Sequence, residues 1–316
     1  MTQDFIGGID IGGTKIAVAI AQPNGPIVAR ETFATAEEST PESAMRRAIA
    51  ALQSESEVNN GRLEAIGVGC AGPIDFETGK LFAPPNLPPS WTNFEIQPFA
   101  EKESGVLVVA ENDANAAALG EHRFGAGRNF SDFVYLTIST GIGGGIIADG
   151  KLSHRLGEAG HVIVQPGGDP CGCGSHGCLE AMCAGPAIAR RARVHLQTTN
   201  KSQMGAANEL TARTVVEALR DGDEVAQHIW QETIAFMAIG ISSIVALLAP
   251  QAVILGGGVA AGAGELLLKP LREGLKEHVH IIPIDRVQIL GAGLGADSGL
   301  YGTLALASDL LKNRAA

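Results

Sequence analysis

The sequence predicts an α/β fold of two lobes related by internal duplication, and three observations carry the prediction. Short apolar strands alternate with longer helical runs along the 316 residues, the pattern of sheets flanked by helices. The order strand, glycine-rich turn, strand, hairpin turn occurs at residues 5–25 and again at 133–150, a separation far above the ~20–50 residues of stacking repeats. The chain is also longer than the roughly 250–300 residues at which a single core stops growing. The expected division gives a smaller lobe of residues 1–114 plus about 300–316 and a larger lobe of 115–299 that carries a cysteine-rich loop, with a hinge near 111–132.

In the first copy, Phe5–Asp10 and Ile16–Ala21 flank the glycine turn, and Pro23-Asn24-Gly25 signals a hairpin before Ile27–Thr35. Thr40-Pro41-Glu42 sets a helix start, with Thr as N-cap and Pro at the first helical position, ahead of an amphipathic run to about Ser54. Ile66–Cys70 and Val106–Ala110 read as strands, the latter leading into a helix at Ala114–Phe124. In the second copy, strands are expected at Phe133–Ser139 and Ile146–Ala148 around a turn at Thr140–Gly145. Helices follow at roughly 178–197, 209–221 and 223–249, then the strand Ala252–Leu255, a helix near 264–276, the strand Val287–Leu290 and a helix from about 297 to 312.

Hydrophobic residues make up 45% and charged residues 18%, an ordinary globular composition. A net charge of −11 speaks against a nucleic-acid partner, because phosphate backbones need clustered Lys and Arg. The start MTQDFIGGID lacks a basic segment followed by an apolar one, so no secretory signal is expected and the location expected is cytoplasmic. The most apolar stretch, Ile234–Ala249, is interrupted by Gly240, Ser242 and Ser243 and ends at Pro250. It falls short of the ~20 residues of a membrane span and is expected to be a buried core helix, with no membrane partner.

Asp10-Ile11-Gly12-Gly13-Thr14-Lys15 lies between two strands. Its glycines allow a sharp turn that presents N–H groups to an anion, and Asp10 suits a magnesium ion held through water. It lacks the Gly-Lys-Ser/Thr ending of a Walker A loop, and no helix follows directly. Alone it reads equally well as a plain glycine-rich hairpin. Thr140-Gly141-Ile142-Gly143-Gly144-Gly145, at the same place in the second copy, turns the reading towards two turns that pinch a polyphosphate between lobes. Gly256-Gly257-Gly258, after a strand, lets the backbone lie flat against an adenine. Gly256–Ala261 and Gly291–Ala296 resemble a dinucleotide fingerprint, but neither opens a βαβ unit with an acidic residue at the required distance, which excludes NAD.

Of five cysteines, Cys171, Cys173 and Cys178 fall within eight residues. With His161 they supply the four ligands of a closed tetrahedral structural zinc site, and the surrounding glycines let a short loop wrap a small ion. His176 is a competing ligand inside the loop, and Cys70 and Cys183 read as small buried apolar residues. Glu158 and Glu180 bracket this loop, where carboxylates suit the hydroxyls of a sugar, although a Glu is more often a solvated surface charge. Asn112-Asp113 falls between a strand and a helix, and Asp113 reads both as an N-cap and as a rigidly held carboxylate.

With these motifs, and with Ala71-Gly72-Pro73, the sequence resembles over nearly its whole length the ROK family of sugar kinases, and within it the glucokinases. The resemblance implies an actin/hexokinase-like (ribonuclease H-like) duplicated fold with the active site in the cleft between lobes. It implies ATP-dependent phosphorylation of a hexose at its 6-hydroxyl, glucose to glucose 6-phosphate, at the entry to glycolysis. Asp113 is then the general base, with Gly72, Asn86, Asn112, Glu158, His161 and Glu180 contacting the sugar. Asp10, Gly12, Gly13, Thr14, Lys15, Thr140 and Gly141 hold the phosphates of ATP with Mg2+, and Gly257 and Gly258 border the adenosine. The family also implies a structural Zn2+ on His161, Cys171, Cys173 and Cys178, and a homo-oligomer, dimer or tetramer. The competing readings are an N-acetylhexosamine kinase, for N-acetylglucosamine or N-acetylmannosamine, and a non-catalytic sugar-sensing protein of the same fold.

Overall fold

The structure, a computed structural model, describes residues 3–23, 25–84, 86–154, 157–198, 202–280 and 282–315. The central Asn24 of the expected hairpin lies outside them. The chain forms two compact units, residues 1–129, 145–156 and 297–316 in the first and 130–144 and 157–296 in the second.

The first unit opens with β1 (Gln3–Ile11), β2 (Lys15–Ala21) and β3 (Ile27–Ala34), followed by α1 (Pro41–Val58), whose N-cap Thr40 accepts the Ser43 N–H. Then come β4 (Gly61–Cys70), the two-residue strands β5 (Ile74–Asp75) and β6 (Lys80–Leu81), α2 (Ile96–Ser104), β7 (Leu107–Asn112) and α3 (Asp113–Phe124). Sheet order is β3-β2-β1-β4-β7. The hairpin strands pair antiparallel, while β1, β4 and β7 run parallel in a register that sets Ile11 beside Cys70 and Cys70 beside Asn112. The register therefore gathers Asp10, the Ala71-Gly72 turn and Asn112-Asp113 at one edge, the carboxyl end of the parallel strands, where open α/β sheets bind ligands.

The second sheet is built from β8 (Phe133–Ile138), β9 (Ile142–Ala148), β10 (Lys151–Leu152), β11 (Ala252–Gly256) and β12 (Gln288–Gly291). Its order, β10-β9-β8-β11-β12, repeats that of the first sheet, strand for strand. Gly143, Gly144 and Gly145, expected in a turn, lie in β9 instead. Gly145 is glycine for packing, because an added Cβ would meet the Ala114 carbonyl of α3 at 2.5 Å.

Between these strands run α4 (Leu179–Cys183), α5 (Gly185–Leu196), α6 (Ala212–Arg220), α7 (Glu224–Leu248), α8 (Gly257–Ala263) and α9 (Glu265–His278). The single helix expected at 178–197 is broken at Ala184, which is extended at ψ 161, and the Gly185 N–H is donated to the Ser139 carbonyl. α7 contains the apolar stretch and is long and apolar enough to cross a membrane. Its buried residues, among them Ile229, Met237, Ile241 and Val245, belong to the face that packs against α4, α5, α6 and α9, as in a core helix.

The last element, α10 (Ser298–Ala315), returns to the first unit and lies across β1, β4 and α3. Leu300, Leu304 and Ala307 bury themselves there with Ile6, Ala17, Ala19 and Ala65. The approach is close enough that a Cβ at Gly67 of β4 would overlap the Thr303 carbonyl, and one at Gly302 would overlap the Ala116 carbonyl of α3. The expected first lobe ended at residue 114, whereas this packing puts all of α3 in the first unit. Buried Glu121 of α3 accepts the Ser298 hydroxyl at 2.7 Å, which ties the two helices further.

Gly67→Ala forces α10 away from the sheet. Urea unfolding should show it destabilised by about 1–3 kcal/mol, the usual range for overpacking.

Candidate active site

In the first unit, the turn after β1 is closed by the Gly12 N–H on the Lys15 carbonyl at 2.9 Å and braced by the Thr35 hydroxyl on the Gly12 carbonyl at 2.7 Å. A Cβ at Gly13 would overlap the Asn86 carbonyl, so the structure brings Asn86 against this turn. Asp10 sits beneath it, next to the first turn of α10, where a Cβ at Gly299 would stand 2.7 Å from Asp10 Oδ2. Burial pushes the Asp10 carboxyl up to about 6; Lys15 partly offsets this and Asp297 adds to it. A half-buried carboxylate held this far up is a group that a cation would stabilise.

At the end of β7, Asn112 and not Asp113 is the N-cap of α3: its Oδ1 accepts the N–H groups of Ala114 at 2.9 Å and Asn115 at 3.2 Å. Its Nδ2 donates to the Gly72 carbonyl at 3.0 Å. Two residues expected at the sugar are therefore fixed to one another, and Gly72 holds a left-handed φ of 122° that favours glycine. Asp113 is the first helical residue, with Oδ1 accepting its neighbour Ala114 N–H at 2.9 Å. Beneath it lies a residue not foreseen from the sequence, Glu111, fully buried and accepting the Asn112 N–H at 2.8 Å, Asn115 Nδ2 at 3.1 Å and His154 Nδ1 at 2.7 Å. The His154 ring stacks on Phe76 with centroids 3.6 Å apart. The available signal was a Glu closing the apolar run Val108-Val109-Ala110, since a buried carboxylate needs partners.

In the second unit, one ligand atom each from His161, Cys171, Cys173 and Cys178 falls within 4.8 Å of the others, a candidate metal site. Cys171 Sγ is 3.5 Å from His161 Nδ1, and the sulfurs of Cys173 and Cys178 are 3.7 Å apart. The loop is shaped by its backbone: Cys171 N–H on the Ser175 carbonyl, Gly174 N–H on the Cys171 carbonyl, and Gly177 at φ 69°, where a Cβ would overlap the Gln165 carbonyl. Burial pushes the Cys178 thiol up to about 12, while backbone N–H donation at Ser175 lowers Cys173. The Cys178 thiol therefore resists ionising beside its neighbours, and a divalent cation would let three thiolates coexist there.

The opposite ring nitrogen of His161, Nε2, faces Glu158 Oε2 at 3.7 Å. Glu180 Oε2 accepts the Ile142 N–H at 2.9 Å, and its Oε1 is 3.9 Å from Cys171 Sγ. Glu158, His161 and Glu180 are thus brought together around one loop. In the same unit, Gly257 at φ 83° lies so close to Ile138 that a Cβ would stand 2.6 Å from its N, which sets the start of α8 beside the Thr140-Gly141 turn.

A sequence profile of the ROK family matches residues 6–310. The chain belongs to the ROK family. It is 35% identical to the glucokinase of Thermotoga maritima, covering 97% of each chain, and 34% identical to the N-acetylmannosamine kinase of Shigella boydii, covering 95% of this chain and 97% of that one. Among solved structures it is similar to a ROK family glucokinase from Streptomyces griseus in complex with glucose and AMPPNP, at 36% identity and TM-score 0.82, over 96% of this chain and 99% of that one. The fold is accordingly the actin/hexokinase-like α/β fold of this family, and the two matching sheet orders are its duplicated halves.

Because the folded Asp10 carboxyl titrates above its ordinary value, the folded state binds more protons than the unfolded one between about pH 4 and 6. Asp10 then lowers stability as pH rises through that window. In thermal melts across this range, Asp10→Asn should gain stability relative to the parent as pH rises from 4 to 6, with the difference level above about 6.5.

Proposed function

We propose that the chain is an ATP-dependent sugar kinase that transfers the γ-phosphoryl group of ATP to the 6-hydroxyl of glucose. The observation that carries the reading is Asp113, a carboxylate at the first position of α3 behind an Asn112 locked to Gly72, in a chain similar over nearly its full length to a glucokinase. The positions expected from the ROK resemblance supply the remaining roles. Glu158, His161 Nε2 and Glu180 Oε1 accept or donate hydrogen bonds to sugar hydroxyls, with Gly72, Asn86 and Asn112 completing the sugar contacts. Gly12, Gly13, Thr14, Lys15, Thr140 and Gly141 present N–H groups and one ammonium to the phosphates, and Gly257 and Gly258 border the adenosine. Asp10 would hold Mg2+, which would supply charge neutralisation on the phosphates.

As the new O–P bond forms, the hydroxyl proton passes to Asp113 and ADP leaves. Positioning supplies most of the rate, since phosphoryl transfer asks for little covalent work from the protein. Glu111 acts as a positioning residue, holding the Asn112 N–H and the flank of α3.

The metal of the cysteine loop is read as Zn2+. A tetrahedral zinc with bonds of about 2.3 Å to sulfur and 2.0–2.1 Å to nitrogen spaces its ligand atoms by about 3.8 Å for S–S and 3.5 Å for S–N. The 3.7 Å and 3.5 Å separations fit that ion. With His161, Cys171, Cys173 and Cys178 as its ligands the ion would have no open position, so these residues would fix the loop that carries Glu180 and the transfer would need nothing from the metal. The same reading takes the chain as a cytoplasmic homo-oligomer at the entry to glycolysis. A second reading, an N-acetylhexosamine kinase, is favoured by the 34% identity to an N-acetylmannosamine kinase.

ADP release with glucose, mannose, fructose, N-acetylglucosamine and N-acetylmannosamine tests the assignment: kcat/KM should be highest for glucose, and a preference for an acetylated sugar selects the second reading. Asp113→Asn should keep sugar binding and lose about 10²–10⁴-fold in kcat; near-normal turnover removes Asp113 as the base. Metal analysis of Cys178→Ser should find the zinc lost with activity, and full occupancy would mean other ligands.

A further inference from the structure

A second set of metal-ligating side chains is drawn together in the second unit, away from the cysteine loop. His195 lies in the last turn of α5 and His228 and Glu232 lie one turn apart on α7, with one ligand atom from each within 4.8 Å of the other two. Residues four apart share a helix face. Glu232 Oε1 is 3.6 Å from His228 Nε2, and Glu232 Oε2 is 3.9 Å from His195 Nε2, both too long for hydrogen bonds. Glu232 Oε2 is nonetheless buried and accepts no hydrogen bond among the described residues. The Arg191 Nε, likewise buried and without a hydrogen bond, faces it at 3.5 Å as a long ion pair, while the other two guanidinium nitrogens donate to the Met182 carbonyl and the Thr233 hydroxyl. That ion pair offsets part of the cost of burying the carboxylate oxygen, and a directly coordinated cation would satisfy it in full.

We propose that His195, His228 and Glu232 form a second divalent-metal site, for an imidazole-preferring d-block ion such as Zn2+ or Ni2+, that ties the end of α5 to the first turns of α7. Two imidazoles and one carboxylate select such ions over Mg2+ or Ca2+, which take oxygen ligands. An ion with bonds of about 2.0–2.2 Å spaces its ligand atoms by about 3.0–3.5 Å. The 3.6 Å and 3.9 Å separations close to that range by small side-chain rotations, for His228 is 57% exposed and its ring meets that of His195 edge to face, with centroids 4.9 Å apart. Three protein ligands leave the remaining positions to water, so this site exchanges its ion with solution, unlike the four-ligand loop. The Arg191 charge opposes the ion and keeps the affinity modest.

Calorimetric titration of Ni2+ into the protein as purified, with bound metals counted by mass spectrometry, tests the site. One further equivalent should bind, and the melting temperature should rise with it. His228→Ala and Glu232→Gln should each weaken this binding at least tenfold and abolish the thermal shift, with the metal on Cys171, Cys173 and Cys178 unchanged. His228 is exposed, so its variant tests ligation without disturbing the core. Equal Ni2+ binding in the parent and both variants, or no further equivalent in the parent, overturns the site.

Discussion

The chemistry of the first unit depends on how closely α10 can lie on the sheet. Bare backbone at Gly67 and Gly302 lets helix, strand and α3 approach at main-chain distance, where side chains would hold them apart. Two carboxylates take their positions from that approach. Asp10 is half-buried against the first turn of α10, and Asp113 begins the helix that α10 braces through Glu121, Ser298 and an Arg123–Asp309 ion pair. A sheet edge thus becomes a site through glycine and alanine, the residues that contribute no reactive group themselves.

In the second unit the equivalent constraint is the cysteine loop. Its glycines at left-handed φ let about ten residues return on themselves, and Glu180, two residues past Cys178, reaches back to hold the Ile142 N–H where β9 begins. The loop and the Thr140-Gly141 turn are therefore one mechanical part, and the Cys171–Glu180 proximity makes the carboxylate sensitive to whatever fills the cluster.

Much of this was legible in the sequence, and the reasons are local. Phe5–Asp10, Ile66–Cys70 and Ala252–Leu255 are apolar runs stopped by turn residues, so their strands were readable, as was the α1 cap at Thr40. The thiol and imidazole cluster was readable because three of its four members sit within one short loop. What escaped was either weakly patterned or long-range. α2 has only a few apolar residues around a proline, and α8 is glycine- and alanine-rich, with little periodicity to read. The break at Ala184 depends on the Gly185 N–H reaching the Ser139 carbonyl, 46 positions earlier in the chain. Asn112 reaching Gly72, and His154 reaching Glu111, join residues |i−j| = 40 and 43 apart, which no local pattern encodes. The three glycines of β9 misled because glycine marks close packing as readily as it marks a turn.

The return of α10 also sets an order on biosynthesis. The sheet of residues 3–112 keeps the face formed by Ile6, Ala17, Ala19 and Ala65 uncovered until Leu300, Leu304 and Ala307 have been made. Most of the second unit, residues 157–296, is an unbroken stretch that emerges before then and is able to collapse on its own contacts. The first part of the chain to leave the ribosome is thus among the last to be finished. Closing a loop of this length costs little at equilibrium but delays the contacts that reward it. During that interval the half-built sheet carries exposed apolar surface, the state in which nascent chains aggregate or engage chaperones.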